Sequence, residues 1–112
     1  MNVTVTLKVP DDGYYDQVVI DNIENDRCFT YSDNNGDICE ICIYDDGLCF
    51  FKQSDDYLLE LHLHDNYYAK ITTEEGIVTF EVKVVDFTIN NDILVMHYIV
   101  NDEARIIEIR YC

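Results

Sequence analysis

Basic residues are scarce in this sequence: seven Lys and Arg stand against 23 Asp and Glu, for a formal net charge of −16. Phosphate neutralisation needs clustered cations, so nucleic acid is excluded as a partner, and the same field disfavours anionic membranes. A basic protein surface, a cation or a second copy of the chain remains compatible. The acids are spread along the chain, with no acidic tail. There is no tryptophan, and the one proline, Pro10, stands where it would close a first strand. No Pro- or Ser-rich linker divides the 112 residues, so the expectation is one domain over residues 1–112. Four isolated glycines leave no room for a phosphate-binding loop. Every apolar run is interrupted by a charged or amide side chain, which excludes a membrane helix. The opening MNVTVTLKV alternates polar and apolar residues instead of forming an export signal, and five cysteines are an odd number. Together these point to a cytoplasmic protein with reduced thiols.

Apolar residues make up 48% of the chain, and they come in alternating segments bounded by Gly, Asp, Asn and Ser. The segments run 2–9, 15–22, 26–32, 37–44, 48–53, 57–64, 67–73, 77–88, 93–100 and 104–111, with a short helix or irregular loop allowed between 14 and 25. This is the all-β pattern. Eight to ten strands with one apolar face each and no helix to cover them must close into a barrel or stack as a sandwich. Short sequential turns favour a single antiparallel up-and-down barrel. Each inward Val, Leu, Ile or Phe would contribute roughly 1.5–3 kcal/mol.

Turn chemistry sets the expected registers. Asp45-Asp46-Gly47 suits a three-residue hairpin with the glycine in a bulge, which opposes Ile43 to Cys49, Ile41 to Phe51 and Glu40 to Lys52. A two-residue turn at Glu75-Gly76 opposes Ile71 to Phe80, Ala69 to Val82 and Tyr67 to Val84, with Lys70 beside Glu81 on the reverse face. On that reading Phe51, Tyr67, Phe80 and Tyr98 point inward and are the candidate lining for one small apolar or amphipathic ligand. The alternative is a barrel filled by its own side chains, acting as an acidic interaction or homodimerising module through its charged exterior or an outer patch at Val95, Ile99 and Ile106.

Chemical motifs are sparse. Cys39 and Cys42 have the C-x-x-C spacing, but residues three apart on a strand face opposite ways and cannot share a metal. Glu60, His62 and His64 share one face, and H-x-H is a spacing from which two imidazoles reach one metal. Simple amphipathicity accounts for them as the solvent side, because Leu59, Leu61 and Leu63 hold the other. That face is the one place for a metal-dependent activity; otherwise no catalytic residue, metal or cofactor is expected. His97 shares a face with Ile99 and pairs with a neighbour. Ser32 and Ser54 sit in no nucleophile elbow. Asp11-Asp12, Asp45-Asp46, Asp55-Asp56 and Glu74-Glu75 are turn-formers and fit no calcium loop.

From Tyr31 onwards the order of strands and turns carries a family likeness: the strand–turn–strand at 37–53, the Tyr, Thr and Gly of NYYAKITTEEG with the long strand after it, and the closing HYIVNDEARIIEIRY. About 80 residues in this order resemble the YwiB-like proteins, small bacterial β-barrels of the calycin superfamily with no characterised function. The resemblance implies a lipocalin-like barrel in a bacterial cytoplasm and carries over no catalytic residues. The chain departs from the pattern at Thr73-Glu74-Glu75, where a proline-containing turn is common, and in its cysteines.

Overall fold

The computed structural model describes all residues from 1 to 112 and contains ten strands with one short 3-10 turn. The strands are β1 (Val3–Val9), β2 (Tyr14–Ile20), β3 (Cys28–Ser32), β4 (Ile38–Tyr44), β5 (Gly47–Gln53), β6 (Leu58–His64), β7 (Asn66–Thr73), β8 (Gly76–Ile89), β9 (Ile93–Val100) and β10 (Glu103–Tyr111). Pro10 opens the 3-10 turn Pro10–Asp12, where its missing N–H costs nothing, so β1 ends as expected. The stretch between 14 and 25, where the sequence allows a short helix or irregular loop, is strand to Ile20 and irregular beyond it.

Hydrogen bonding follows the order β2-β1-β10-β9-β8-β7-β6-β5-β4-β3, with antiparallel pairing from β2 through β1 and β10 to β9 and from β3 through to β8. The expected all-β, up-and-down arrangement of about ten strands is what the chain adopts. Two compact units share it: residues 1–24 with 83–112, and residues 25–82.

The first unit has a conventional two-faced construction. Val5 faces Val18 on β2 and Ile109 on β10, and Ile109 faces Leu94 on β9. Leu7, Ile107 and Met96 form the next row of the same face. Alternation puts Thr6 on the other side, where its Oγ1 accepts a hydrogen bond from Gln17 Nε2 at 3.3 Å. Tyr98 continues the Leu94 and Met96 face at 4% exposure, and burial pushes its phenol up to about 12 against the opposing pull of Arg105.

The second unit is where the expected registers need correction. β4 and β5 close through the two residues Asp45 and Asp46, so Tyr44 faces Gly47, Ile43 faces Leu48, Ile41 faces Phe50 and Glu40 faces Phe51. The shift is one residue, and on a strand one residue exchanges the faces. Phe50, 2% exposed, occupies the buried face with Ile41, Leu48, Leu61 and Leu63, and Phe51 lies on the opposite face with Glu40 and Glu60. The physical reason is at Gly47. It is not left-handed, and a Cβ added there would lie 1.8 Å from the carbonyl oxygen of Leu63. Gly47 is thus needed for the close approach of β6, as the first residue of β5, and is not a bulge in the turn.

The β7–β8 hairpin also differs, turning at Glu74-Glu75 with Ile71 facing Val78 and Ala69 facing Phe80. Here the difference is two residues, so every face is kept. Lys70 now faces Thr79 instead of Glu81 and makes its ion pair with Glu60 of β6 at 3.7 Å.

Candidate functional site

Pairing brings the chemistry-bearing side chains of the second unit into one row across its outer face. Cys28 faces Cys42, Cys42 faces Cys49, Cys49 faces His62, and His62 faces Tyr68. The neighbouring row is Thr30, Glu40, Phe51, Glu60 and Lys70. The row order follows from the loop Asp33-Asn34-Asn35-Gly36-Asp37, whose geometry pairs Ser32 with Ile38. The Asp33 carboxylate fastens that loop by accepting hydrogen bonds from the backbone N–H groups of Asn35 and Asp37, both at 2.9 Å.

Cys28 and Cys42 are joined as a disulfide with a Cα separation of 4.1 Å. This corrects the expectation of five reduced thiols: Cys39, Cys49 and Cys112 alone are free. The opposed faces expected of Cys39 and Cys42 hold, with Cys39 buried inward and Cys42 on the outer row. Burial and the Asp33 charge push the Cys39 thiol up to about 11, which keeps it protonated and unreactive. The spacing of the cysteines gives no sign of the Cys28 and Cys42 pair, because their nearness is set by the pairing of β3 with β4.

His62 is wedged between aromatic rings, stacked on Tyr68 with centroids 4.3 Å apart and meeting the edge of Phe51 at 5.6 Å. Its Nδ1 lies 3.9 Å from Cys49 Sγ, and its Nε2 lies 3.5 Å from a Glu60 oxygen. The latter approach is electrostatic only, since Nε2 is buried without a hydrogen bond. Cysteine, imidazole and carboxylate stand in the order of a nucleophilic triad, but burial pushes the Cys49 thiol up. A nucleophilic cysteine needs an electropositive setting that stabilises thiolate, and this chain supplies the reverse.

The Glu60, His62 and His64 face is therefore divided. His64 stacks on Tyr44 at 4.0 Å across the bare position of Gly47 and hydrogen-bonds Asp46 through Nδ1. His62 and His64 each have their own neighbours, and the structure does not bring them together on one ligand.

Lys52 is the second correction produced by the register. It faces Cys39 and Leu59 on the inner side, largely buried, with Nζ 3.1 Å from Asp33 and 3.5 Å from Asp37. Burial alone would raise the Asp33 carboxyl, but the Lys52 hydrogen bond and the two backbone donors outweigh it and hold the group below its ordinary value. Burial would likewise lower Lys52, and Asp33, Tyr57 and Asp37 together hold it above.

Of the four candidate lining residues, Tyr67 and Phe80 share the apolar face of the β7–β8 hairpin with Ala69, Ile71 and Val78. Tyr67 is 40% exposed near the start of β7 and Phe80 is half-buried. Phe51 is on the charged face, and Tyr98 belongs to the first unit. The hairpin tip itself is open. Ile77 is 61% and Val78 53% exposed, on opposite faces, and Leu58 lies in the same cross-strand row as Thr72 and Ile77. Beside them is an open cleft of about 360 Å³ lined by Asp56, Thr73, Glu74 and Glu75, with three carboxylates and no cation among its lining.

No protein-family model and no curated protein matches this chain. Among solved structures it is similar to the ywiB protein from Bacillus subtilis, at 12% identity over 99% of this chain and 90% of that one, with a TM-score of 0.41. A likeness at that level carries no argument about function.

Proposed function

We propose that this small all-β protein is an acidic protein-interaction module whose docking surface is the tip of the β7–β8 hairpin. The observation that supports it is the combination of exposed Ile77 and Leu58 with the carboxylates of Asp56, Glu74 and Glu75 around them. An apolar centre with a charged rim is the anatomy of a transient interface, and the sign of the rim selects a partner with an apolar centre and basic surroundings. Two copies of a chain carrying −16 repel one another, so a basic partner fits better than a homodimer. The reading assigns no catalytic residue and keeps the cytoplasmic setting expected from the sequence. No helix is long and apolar enough to cross a membrane.

A second reading, a bound small amphipathic ligand, draws on Tyr67, Phe80 and Val78 along the apolar face of the same hairpin. The two are separated by one titration. A labelled peptide alternating Lys and Leu, with a Ser and Leu control, is followed by fluorescence anisotropy at low and high salt. The interaction reading expects binding of the basic peptide alone, weakened by salt and by about tenfold in Ile77→Asp and in Glu74→Lys with Glu75→Lys, a tenfold change being about 1.4 kcal/mol. Equal binding by wild type and both variants rejects the surface. A small molecule that leaves the purified protein only on denaturation, detected by native mass spectrometry, supports the ligand reading instead.

A further inference from the structure

We propose that the outer face of β3 and β4 is a redox-gated site for a thiophilic divalent cation, Zn²⁺ above all, held by Cys28, Cys42 and Glu40 and emptied when the two sulfurs join. One ligand atom from each of these three side chains lies within 4.8 Å of the other two. Ligands around a tetrahedral zinc stand roughly 3.5–3.8 Å apart, given bond lengths of about 2.0–2.3 Å. The two sulfurs stand at bonding distance in the disulfide, and reduction lets them part to that spacing with the Glu40 carboxylate beside them. Their placement follows from pairing: Cys28 and Cys42 are direct cross-strand neighbours, and Glu40 precedes Cys42 by two residues, so it shares that face. The Glu40 carboxylate lies 4.0 Å from Cys42 Sγ. Water completes the coordination on this solvent-facing row.

Ligand softness selects the ion. Two thiolates favour zinc over calcium or magnesium, which take oxygen ligands. The net charge of −16 raises the local concentration of any divalent cation, while the sulfurs decide which one stays. This site uses neither spacing that suggests a metal in the sequence, since Cys39 faces the other way and His62 and His64 have separate partners.

The structure holds the oxidised state, with Cys28 and Cys42 bonded. Conversion from the metal-bound state is a two-electron oxidation. The two thiolates form the S–S bond and release the cation, and a small-molecule disulfide accepts the two electrons, takes up two protons and leaves as two thiols. A cysteine pair that cycles in this way is compatible with a reducing compartment, where disulfides are transient.

The test is a titration of the reduced protein with Co²⁺ alone under exclusion of oxygen, followed by displacement with Zn²⁺. The expected result is one Co²⁺ per chain with intense thiolate-to-cobalt charge-transfer absorption. That band disappears in Cys28→Ser and Cys42→Ser, persists in Cys112→Ser, and requires roughly tenfold more metal in Glu40→Gln, the loss of one charged ligand. Adding oxidised glutathione to the zinc-loaded wild type releases one zinc per disulfide formed. Cobalt binding without charge transfer, or binding that survives both serine changes, moves the ion to exposed carboxylates and overturns the site. Oxidised protein that binds as well as reduced overturns the gating. If the serine variants do not fold, alkylation of the wild type decides: zinc must protect Cys28 and Cys42 selectively, and equal labelling with and without zinc rejects the proposal.

Discussion

The segments Tyr44-Asp45-Asp46-Gly47-Leu48 and Thr73-Glu74-Glu75-Gly76-Ile77 have the same grammar, two acids and a glycine between strand residues, yet the glycines serve different purposes. Gly76 has φ +137 and nothing within 4 Å of where a Cβ would stand, so its role is purely conformational. Gly47 is not left-handed and has no room, because the Leu63 carbonyl occupies the space a side chain would need. A turn motif thus specifies that a hairpin exists, while its register depends on which neighbouring strand comes close. The consequence is unequal. A two-residue displacement at β7–β8 leaves each side chain on its face, whereas one residue at β4–β5 exchanges Phe50 with Phe51 and sends Lys52 inward.

The inward lysine gives the largest effect by which that comparison can be broken. Lys52→Met removes the partner of the nearly buried Asp33 carboxylate and is expected to cost about 3–5 kcal/mol in urea unfolding, the loss typical of breaking a buried pair. Had Lys52 faced solvent beside Glu40, the cost would be below about 1 kcal/mol. The pH dependence follows from the shift directions. Asp33 is held below 3.8, so its contribution is full above that value and is lost as pH falls through the lower folded value. Lys52 is held above 10.5, so its contribution is full below that value and is lost as pH rises through the folded one. The gap in stability between wild type and Lys52→Met should be widest at neutral pH and narrow below about pH 4, because only the wild type has the pair to lose. A gap that stays constant into acid would mean that Asp33 is not the partner that matters.

Gly47→Ala comes next. The atom its Cβ would meet is backbone, which cannot rotate away, so β5 and β6 must part and the Tyr44 stack on His64 is disturbed. The expected cost is about 3 kcal/mol, at the upper end for overpacking. A loss of only a few tenths, measured by the same unfolding curve, would restore the bulged register and return Phe51 to the inner face.

How far the sequence reaches is visible in these same residues. Strand positions were legible because alternation and turn residues are local signals, and the ten expected segments match the ten strands to within two residues at each end. Tyr67 and Phe80 kept their expected face because the register error there was even. Phe51 and Lys52 did not, since the Leu63 carbonyl that constrains Gly47 is sixteen residues away in the chain and leaves no local mark. The Cys28 and Cys42 pair was one inference out of reach: treating Asp33 to Asp37 as the loop that sets Ser32 opposite Ile38 places the two sulfurs together.

The smallest effect belongs to Gly76→Ala, and it completes the contrast. There is open space around the position, so no neighbour has to move. The cost comes only from holding an L-residue at φ +137, a region in which strain is of order 1–3 kcal/mol, partly offset because alanine restricts the unfolded chain by about 0.4–1 kcal/mol. A net loss of about 1 kcal/mol is expected, with unchanged spectra from the aromatic residues because both faces of the hairpin survive. The discriminating measurement is the pair of glycine variants in parallel. If Gly76→Ala proved the more damaging, turn conformation and not the approach of β6 would be what sets these hairpins, and the one-residue displacement at Gly47 would need another cause.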